Sequence, residues 1–288
     1  AALEERFFIE TLETERRQQS KDGTVKYLFR LPDGNCIETV LMRYSYGNTV
    51  CVSTQVGCRM GCRFCASTQG GRVRNLTAGE IANEVYAAAR DTGERVSHIV
   101  LMGIGEPLDN FDHVMDFLSI ISSPNGVNIG MRNISLSTCG LVPMIYKLAE
   151  RHLGLTLSVS LHAPTDEMRS SMMPINDVYP VEQLIRACRD YQQETGRRVS
   201  FEYSMVNGVN DSPQTARRLA QLIKGMGAHV NLIPINPVDG SPYSATDAAN
   251  VKRFQTLLTE LGVNATVRRR LGTDISAACG QLRREAKG

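Results

Sequence analysis

The chain has 288 residues, 42% of them hydrophobic, which suits one large domain or two small ones around a sizeable core, with no internal repeat or low-complexity segment. Thirty-two Lys and Arg against thirty Asp and Glu leave a formal charge of +2, which argues neither for nor against a polyanionic partner. No apolar run reaches the length of a membrane span, the opening residues do not read as a signal peptide, and eight Cys are too sparse for a disulfide framework; a cytoplasmic protein with no membrane partner is expected.

In chain order, residues 25–31 and 36–43 read as a β-hairpin around Pro32-Asp33-Gly34-Asn35, a strong turn signal. Glu38, within the second strand, reads from the residues alone as a solvent-facing carboxylate. From Cys51 onward, strand patterns at 49–55, 97–102, 133–138, 155–161, 199–205 and 229–235 alternate with helical patterns at 77–90, 111–122, 142–152, 180–195, 212–226 and 248–261. Thr77-Ala-Gly-Glu80 reads as a capping box, and Pro213 suits the first turn of its helix. Strict alternation predicts parallel strands joined by right-handed crossovers, as an open doubly wound sheet or a partial barrel. Periodicity does not choose between them.

Polar residues cluster where the strands are expected to end: Gly103-Ile104-Gly105-Glu106-Pro107, Ser135 to Gly140, Ser158 to Ala163, and Ile235-Asn236-Pro237. Sites in parallel α/β folds are built from these loops. The two glycines would let a ligand approach the backbone, and Glu106 can accept from an ammonium. Each residue alone reads as a routine loop residue. Cys139 and Cys188 read as small core fillers.

The most specific stretch is 51–71, CVSTQVGCRMGCRFCASTQGG. Cys58, Cys62 and Cys65 form a C-x3-C-x2-C run flanked by glycines, so three sulfurs can converge on one soft metal centre. A structural zinc site would need a fourth ligand at knuckle spacing, and the next His is His98. A four-iron cluster takes one ligand per iron, so three cysteines leave one iron open. Near the end of the chain, Asp274-Ile-Ser-Ala-Ala-Cys279-Gly280-Gln281-Leu282 carries a cysteine that reads as a reactive thiol or a fourth cluster ligand.

The C-x3-C-x2-C run is similar to the signature of radical S-adenosylmethionine (SAM) enzymes. With Gln55-Val-Gly-Cys58, Cys51 seven residues upstream, Phe64-Cys65-Ala66 and the Cys279 segment, the chain resembles the RlmN/Cfr family of RNA adenine methyltransferases from about Asp22 to Leu282. The resemblance implies an α/β fold, a partial (β/α)6 barrel of the radical SAM type with an N-terminal β-hairpin extension. It implies three regions: an extension at 1–45, a barrel at 46–268, and a tail at 269–288. The small helical domain that precedes the hairpin in this family is expected to be missing, which bears on RNA affinity.

The resemblance further implies a 4Fe-4S cluster on Cys58, Cys62 and Cys65. Gly105, Glu106, Ser137, Ser160, Leu161, His162 and Asn236 would hold SAM, with His162 hydrogen-bonding rather than acting as a base. Cys279 would carry a methyl group in transit, Cys51 would resolve the covalent intermediate, and Glu38 would accept the ring proton. The implied partners are 23S rRNA and tRNA, with a reductant such as flavodoxin or ferredoxin, and the implied state is a monomer. Gly105-Glu106-Pro107 and the segment 231–237 look more like the RlmN branch, which acts at C2 of adenine, than the Cfr branch, which acts at C8. Two other classes, a non-catalytic iron–sulfur or zinc RNA-binding module and a radical SAM enzyme acting on a protein or small molecule, leave Cys51 and Cys279 without a use.

Overall fold

The computed structural model describes residues 11–235 and 242–275. Four antiparallel strands come first: β1 (Glu13–Gln19), β2 (Val25–Arg30), β3 (Cys36–Tyr44) and β4 (Gly47–Cys51). A second, two-stranded sheet pairs β5 (Gln55–Gly57) with β6 (Arg72–Asn75). Strand–helix units then follow: α1 (Ala78–Thr92), β7 (Val96–Leu101), α2 (Phe111–Ser122), β8 (Ile134–Thr138), α3 (Val142–Ala149), β9 (Thr156–Ser160), α4 (Asp166–Met172), α5 (Val181–Thr195), β10 (Val199–Met205), α6 (Pro213–Leu222), β11 (His229–Pro234), α7 (Ala248–Glu260) and β12 (Asn264–Val267). The main sheet has ten strands in the order β1-β2-β3-β4-β7-β8-β9-β10-β11-β12, parallel from β4 onward. This is the six-unit partial barrel that the motif pattern implies. The N-terminal hairpin belongs to a meander hydrogen-bonded to the barrel through β4.

Local chemistry explains the element ends. Thr77 and Glu80 form the expected reciprocal capping box, and Gly93 closes α1 in the left-handed region. Ser212 caps α6 ahead of Pro213, and Asp247 caps α7. On β10, Val199, Phe201, Tyr203 and Met205 join the apolar core shared with the helices, while Ser200, Glu202 and Ser204 take the opposite face. The same alternation sets Ser135 and Ser137 against Ile134 and Leu136, and Ser158 and Ser160 against Leu157 and Val159. The sheet therefore has an apolar outer face under the helices and a polar inner face.

Several elements differ from the sequence expectation. β1 is polar throughout and mostly exposed, an edge strand without alternation to betray it. The predicted strand 49–55 breaks after Cys51, because Ser53 is held otherwise: its N–H donates to Glu84 and its Oγ to the Glu38 carbonyl at 2.7 Å. The β5–β6 pair and the seven-residue α4 are too short for periodicity to reveal.

Candidate active site

At the carboxyl ends of the parallel strands lies a cavity of about 300 Å³. A larger groove, about 590 Å³, runs over the outer surface between α5 and α6, away from the strand ends and the cysteines. The smaller cavity collects Cys58, Cys62, Cys65, Gly105, Glu106, Ser137, Ser160 and His162, eight of the residues that sequence reading singled out.

The cysteines sit on the loop between β5 and β6, whose antiparallel pairing draws the loop's two ends together. Asp109 fastens this base, accepting from Gln55 Nε2 at 2.9 Å, Arg72 Nη1 at 2.9 Å and Arg59 Nε at 3.1 Å. Burial alone would raise the Asp109 carboxyl; the hydrogen bonds from Arg59 and Gln55 outweigh it and hold the group below the ordinary carboxylate value. At Gly61 (φ 71°) the chain turns through the left-handed region with Pro174 3.4 Å from where a Cβ would stand.

Burial, with the neighbouring Cys65, pushes the Cys58 thiol up to about 12, and the same two causes raise Cys62 further. Buried thiols ionise against a nearby cation, which a bound iron centre would supply. Among the described residues no three His, Cys, Asp or Glu side chains are grouped to hold a single metal ion. A four-iron cluster instead takes its cysteines on separate irons, so the loop fits that group.

Glu106 is buried beside the cysteines. Its Oε1 accepts from the Leu108 N–H at 3.0 Å and its Oε2 from the Cys139 N–H at 2.7 Å, while its own N–H donates to Gln55 Oε1. Desolvation raises its carboxyl, and the main-chain donors oppose that shift. A carboxylate has acceptor capacity beyond these two bonds. The glycines before it also have a packing reason. A Cβ on Gly103 would stand 2.5 Å from the Val52 carbonyl oxygen, and one on Gly105 (φ 112°) 2.7 Å from Gln55 Cβ.

His162 is buried with its Nδ1 accepting from the Ser204 N–H at 2.9 Å, so the proton resides on Nε2. Desolvation, then the Arg169 guanidinium, lowers its pKa to about 3. A neutral, tautomerically fixed imidazole is a hydrogen-bond donor at neutral pH, in keeping with the expected role. Leu161 places its side chain in the main apolar core, and its N–H donates to the Glu202 carbonyl. Asn236 and Cys279 lie outside the described residues.

Cys51 and Glu38 do not line the cavity. Ile37 and Leu41 of β3 point into the main core, so Glu38, Val40 and Met42 share the other face. Val40 stands directly opposite Cys51 on β4, placing Glu38 two residues from that pair on the same face. Cys51 is buried with Val40 and Met42 against Val100, Met102 and Leu271, and Met102 lines the cavity. Glu38 pairs with Lys26 at 3.0 Å, both almost fully buried, where the sequence reading had a solvent-facing carboxylate. Sequence reading passed over Glu202 and Ser204, which line the cavity, and Arg169, which is fully buried behind it, and read Cys139, which also lines the cavity, as a core filler.

Residues 52–220 match the Radical SAM superfamily. A probable dual-specificity RNA methyltransferase RlmN of Desulforamulus reducens is 57% identical over 265 residues, covering 92% of this chain and 76% of its own length. One of Staphylococcus aureus is 55% identical over 284 residues, covering 98% and 78%. Among solved structures, a radical SAM methyltransferase from Sphaerobacter thermophilus superposes with a TM-score of 0.93 at 49% identity, over 97% of this chain and 83% of that one. Streptococcus suis SuiB bound to S-adenosylmethionine shares the fold, with a TM-score of 0.59 at 15% identity over 76% of this chain and 50% of that one.

Proposed function

Because the chain belongs to the radical SAM superfamily and, within it, to the RlmN family of RNA methyltransferases, we propose that it methylates C2 of adenine in 23S rRNA, in the peptidyl-transferase region, and in tRNA, just 3′ of the anticodon. What supports this reading most is the position of Cys51. It packs against Leu271, at the root of the segment that carries Cys279, and against Met102 of the cavity wall.

When bound, the 4Fe-4S cluster and SAM supply one-electron chemistry and a methyl group. Cys58, Cys62 and Cys65 would hold the cluster and leave one iron open. Glu106, Ser137, Ser160, His162, the Gly105 and Leu161 backbone and Asn236 would hold SAM, Glu106 by accepting from its ammonium. C2 of adenine is an electron-poor ring carbon, so it cannot displace a methyl from a sulfonium as a nucleophile. A thiolate can, and Cys279 takes the methyl as a thioether. Once the one-electron chemistry of the bound groups has removed a hydrogen atom from that methyl, its carbon would bond to C2, the ring's odd electron would return to the same centre and Glu38 would accept the ring proton, leaving protein and RNA joined. The Cys51 thiolate then attacks the Cys279 sulfur, forming a sulfur–sulfur bond as the sulfur–carbon bond breaks, and the bonding pair stays on the released carbon, which takes up a proton to complete the new methyl group. The electron donor would be a flavodoxin- or ferredoxin-like protein, and the chain would act in the cytoplasm as a monomer.

The test is the product. Anaerobically reconstituted protein given SAM, a reductant and 23S rRNA fragments should yield 2-methyladenosine on nuclease digestion and mass spectrometry. A product of 8-methyladenosine would overturn the C2 assignment, and unmodified RNA would overturn the activity.

A further inference from the structure

Arg169, on α4, has its whole side chain out of solvent. Its Nη2 donates to the Cys139 carbonyl at 2.6 Å and the Ser160 carbonyl at 3.2 Å, its Nε to the Leu161 carbonyl at 3.2 Å, and its Nη1 to Asn176 Oδ1 at 3.1 Å. Cys139 and Leu161 lie in the loops after β8 and β9, Ser160 ends β9, and Asn176 follows α4; Cys139 and Ser160 line the cavity. All four acceptors are neutral oxygens, and the nearest carboxylate the guanidinium feels, Asp166, is reached only through Asn176, although a buried cation is costly without an anion in contact.

The other end of α4 meets the cysteine loop. The Arg63 N–H donates to the Met172 carbonyl at 2.9 Å, and Met172 and Met173 pack in one cluster with Cys58, Cys62 and Cys139. The Met173 N–H returns to the Arg169 carbonyl at 2.7 Å, closing the strut. Asn176 is braced in turn by Asp166 Oδ1 and Ser170 Oγ, so the guanidinium has little room to move.

We propose that Arg169 is a positioning residue for the centre held by Cys58, Cys62 and Cys65: it pins α4 between the cysteine loop and the strand ends at Cys139, Ser160 and Leu161, and its buried charge offsets the anionic cluster. The proposal rests on the cluster reading of those cysteines. Three thiolates on a core of four irons and four sulfides carry net negative charge, and reduction adds another. A fixed cation nearby favours the reduced form and removes the need for a carboxylate partner on Arg169.

The experiment uses the reconstituted chain, with iron and sulfide counted first, then spectroelectrochemical titration of the cluster and equilibrium dialysis of SAM. Arg169→Lys keeps the charge and loses the planar fork, so its midpoint potential should stay near wild type while SAM affinity falls about tenfold or more. Arg169→Gln loses the charge, so its potential should fall and SAM affinity should drop as well. Asn176→Ala frees one N–H and leaves the guanidinium in place, so it should weaken SAM binding severalfold at unchanged potential. Wild-type potential and affinity in Arg169→Gln would overturn the proposal, as would equal potentials in the Lys and Gln variants. If the Gln variant does not fold, wild-type SAM affinity in both other variants overturns it. Wild-type protein that takes up no iron would overturn the cluster reading itself, and the proposal with it.

Discussion

His162 occupies the left-handed region at φ 58°, where non-glycine residues are uncommon. It is held there by the Ser204 N–H on its ring and by Asn210 Nδ2, which donates to its carbonyl at 2.7 Å. Because its folded pKa, about 3, lies below the ordinary 6.5, the unfolded chain binds the proton more readily. Its contribution to stability is complete above pH 6.5 and is lost as pH falls toward 3, at up to about 1.4 kcal/mol per pH unit. His162→Gln should therefore flatten acid destabilisation: between pH 7 and 4.5 the wild type should lose more stability in urea titrations than the variant. Parallel profiles would contradict a neutral buried imidazole. In sequence, His162 stood out by its place after a strand, and its neutrality was not legible because the desolvating neighbours come from β10 and α4. Glu202 and Ser204 could have been found. Strands of a parallel sheet buried on both faces are apolar throughout, so the period-two polar line Ser200, Glu202, Ser204 already marks a polar interior. Arg169 could not, since an arginine in a polar stretch reads as surface by default.

At the scale of elements, the strand–helix alternation was legible because each unit is long enough to show its period, and Val199–Met205 and Phe111–Ser122 match the sequence expectation to the residue. Two of the missing pieces depend on the cysteine loop. β5 and β6 are three and four residues long and exist as a pair only because the loop returns between them. Asp109 is the fastener of that return, with two arginines and Gln55 on one carboxylate. Asp109→Asn removes the charge that Arg59 and Arg72 share, and the loop should open more readily without unfolding the barrel. The expected result is iron release to a chelator several times faster than from the wild type, with an unchanged far-ultraviolet dichroism spectrum. Equal release rates would show that the β5–β6 pairing alone holds the loop.

For the whole molecule, the N-terminal meander and the barrel share one sheet and one apolar core, which runs from Leu12 and Val25 through Leu136 to Phe254. Shared burial of this kind couples unfolding, so thermal transitions followed by tyrosine fluorescence and by dichroism should coincide. A separate early transition of the meander would contradict it. The continuous sheet also gives the proposed chemistry its layout. β3 and β4 carry Glu38 and Cys51 on the inner face, the next parallel strands carry the polar cavity, and Leu271 packs in the cluster that holds Cys51.

The most direct test of the account is to separate the two lone cysteines. Cys51→Ala leaves methyl loading and carbon–carbon bond formation intact, because neither uses its sulfur, and removes only the thiol that releases the product. After incubation with SAM, reductant and rRNA fragments, denaturing gels should show protein accumulating in covalent linkage to RNA, mapped by nuclease and peptide digestion to Cys279. Cys279→Ala should give no adduct, and the double variant should also give none, since the second loss acts upstream of the first. Normal turnover by Cys51→Ala, with no adduct, would contradict the methyl-cysteine route even with the cluster intact.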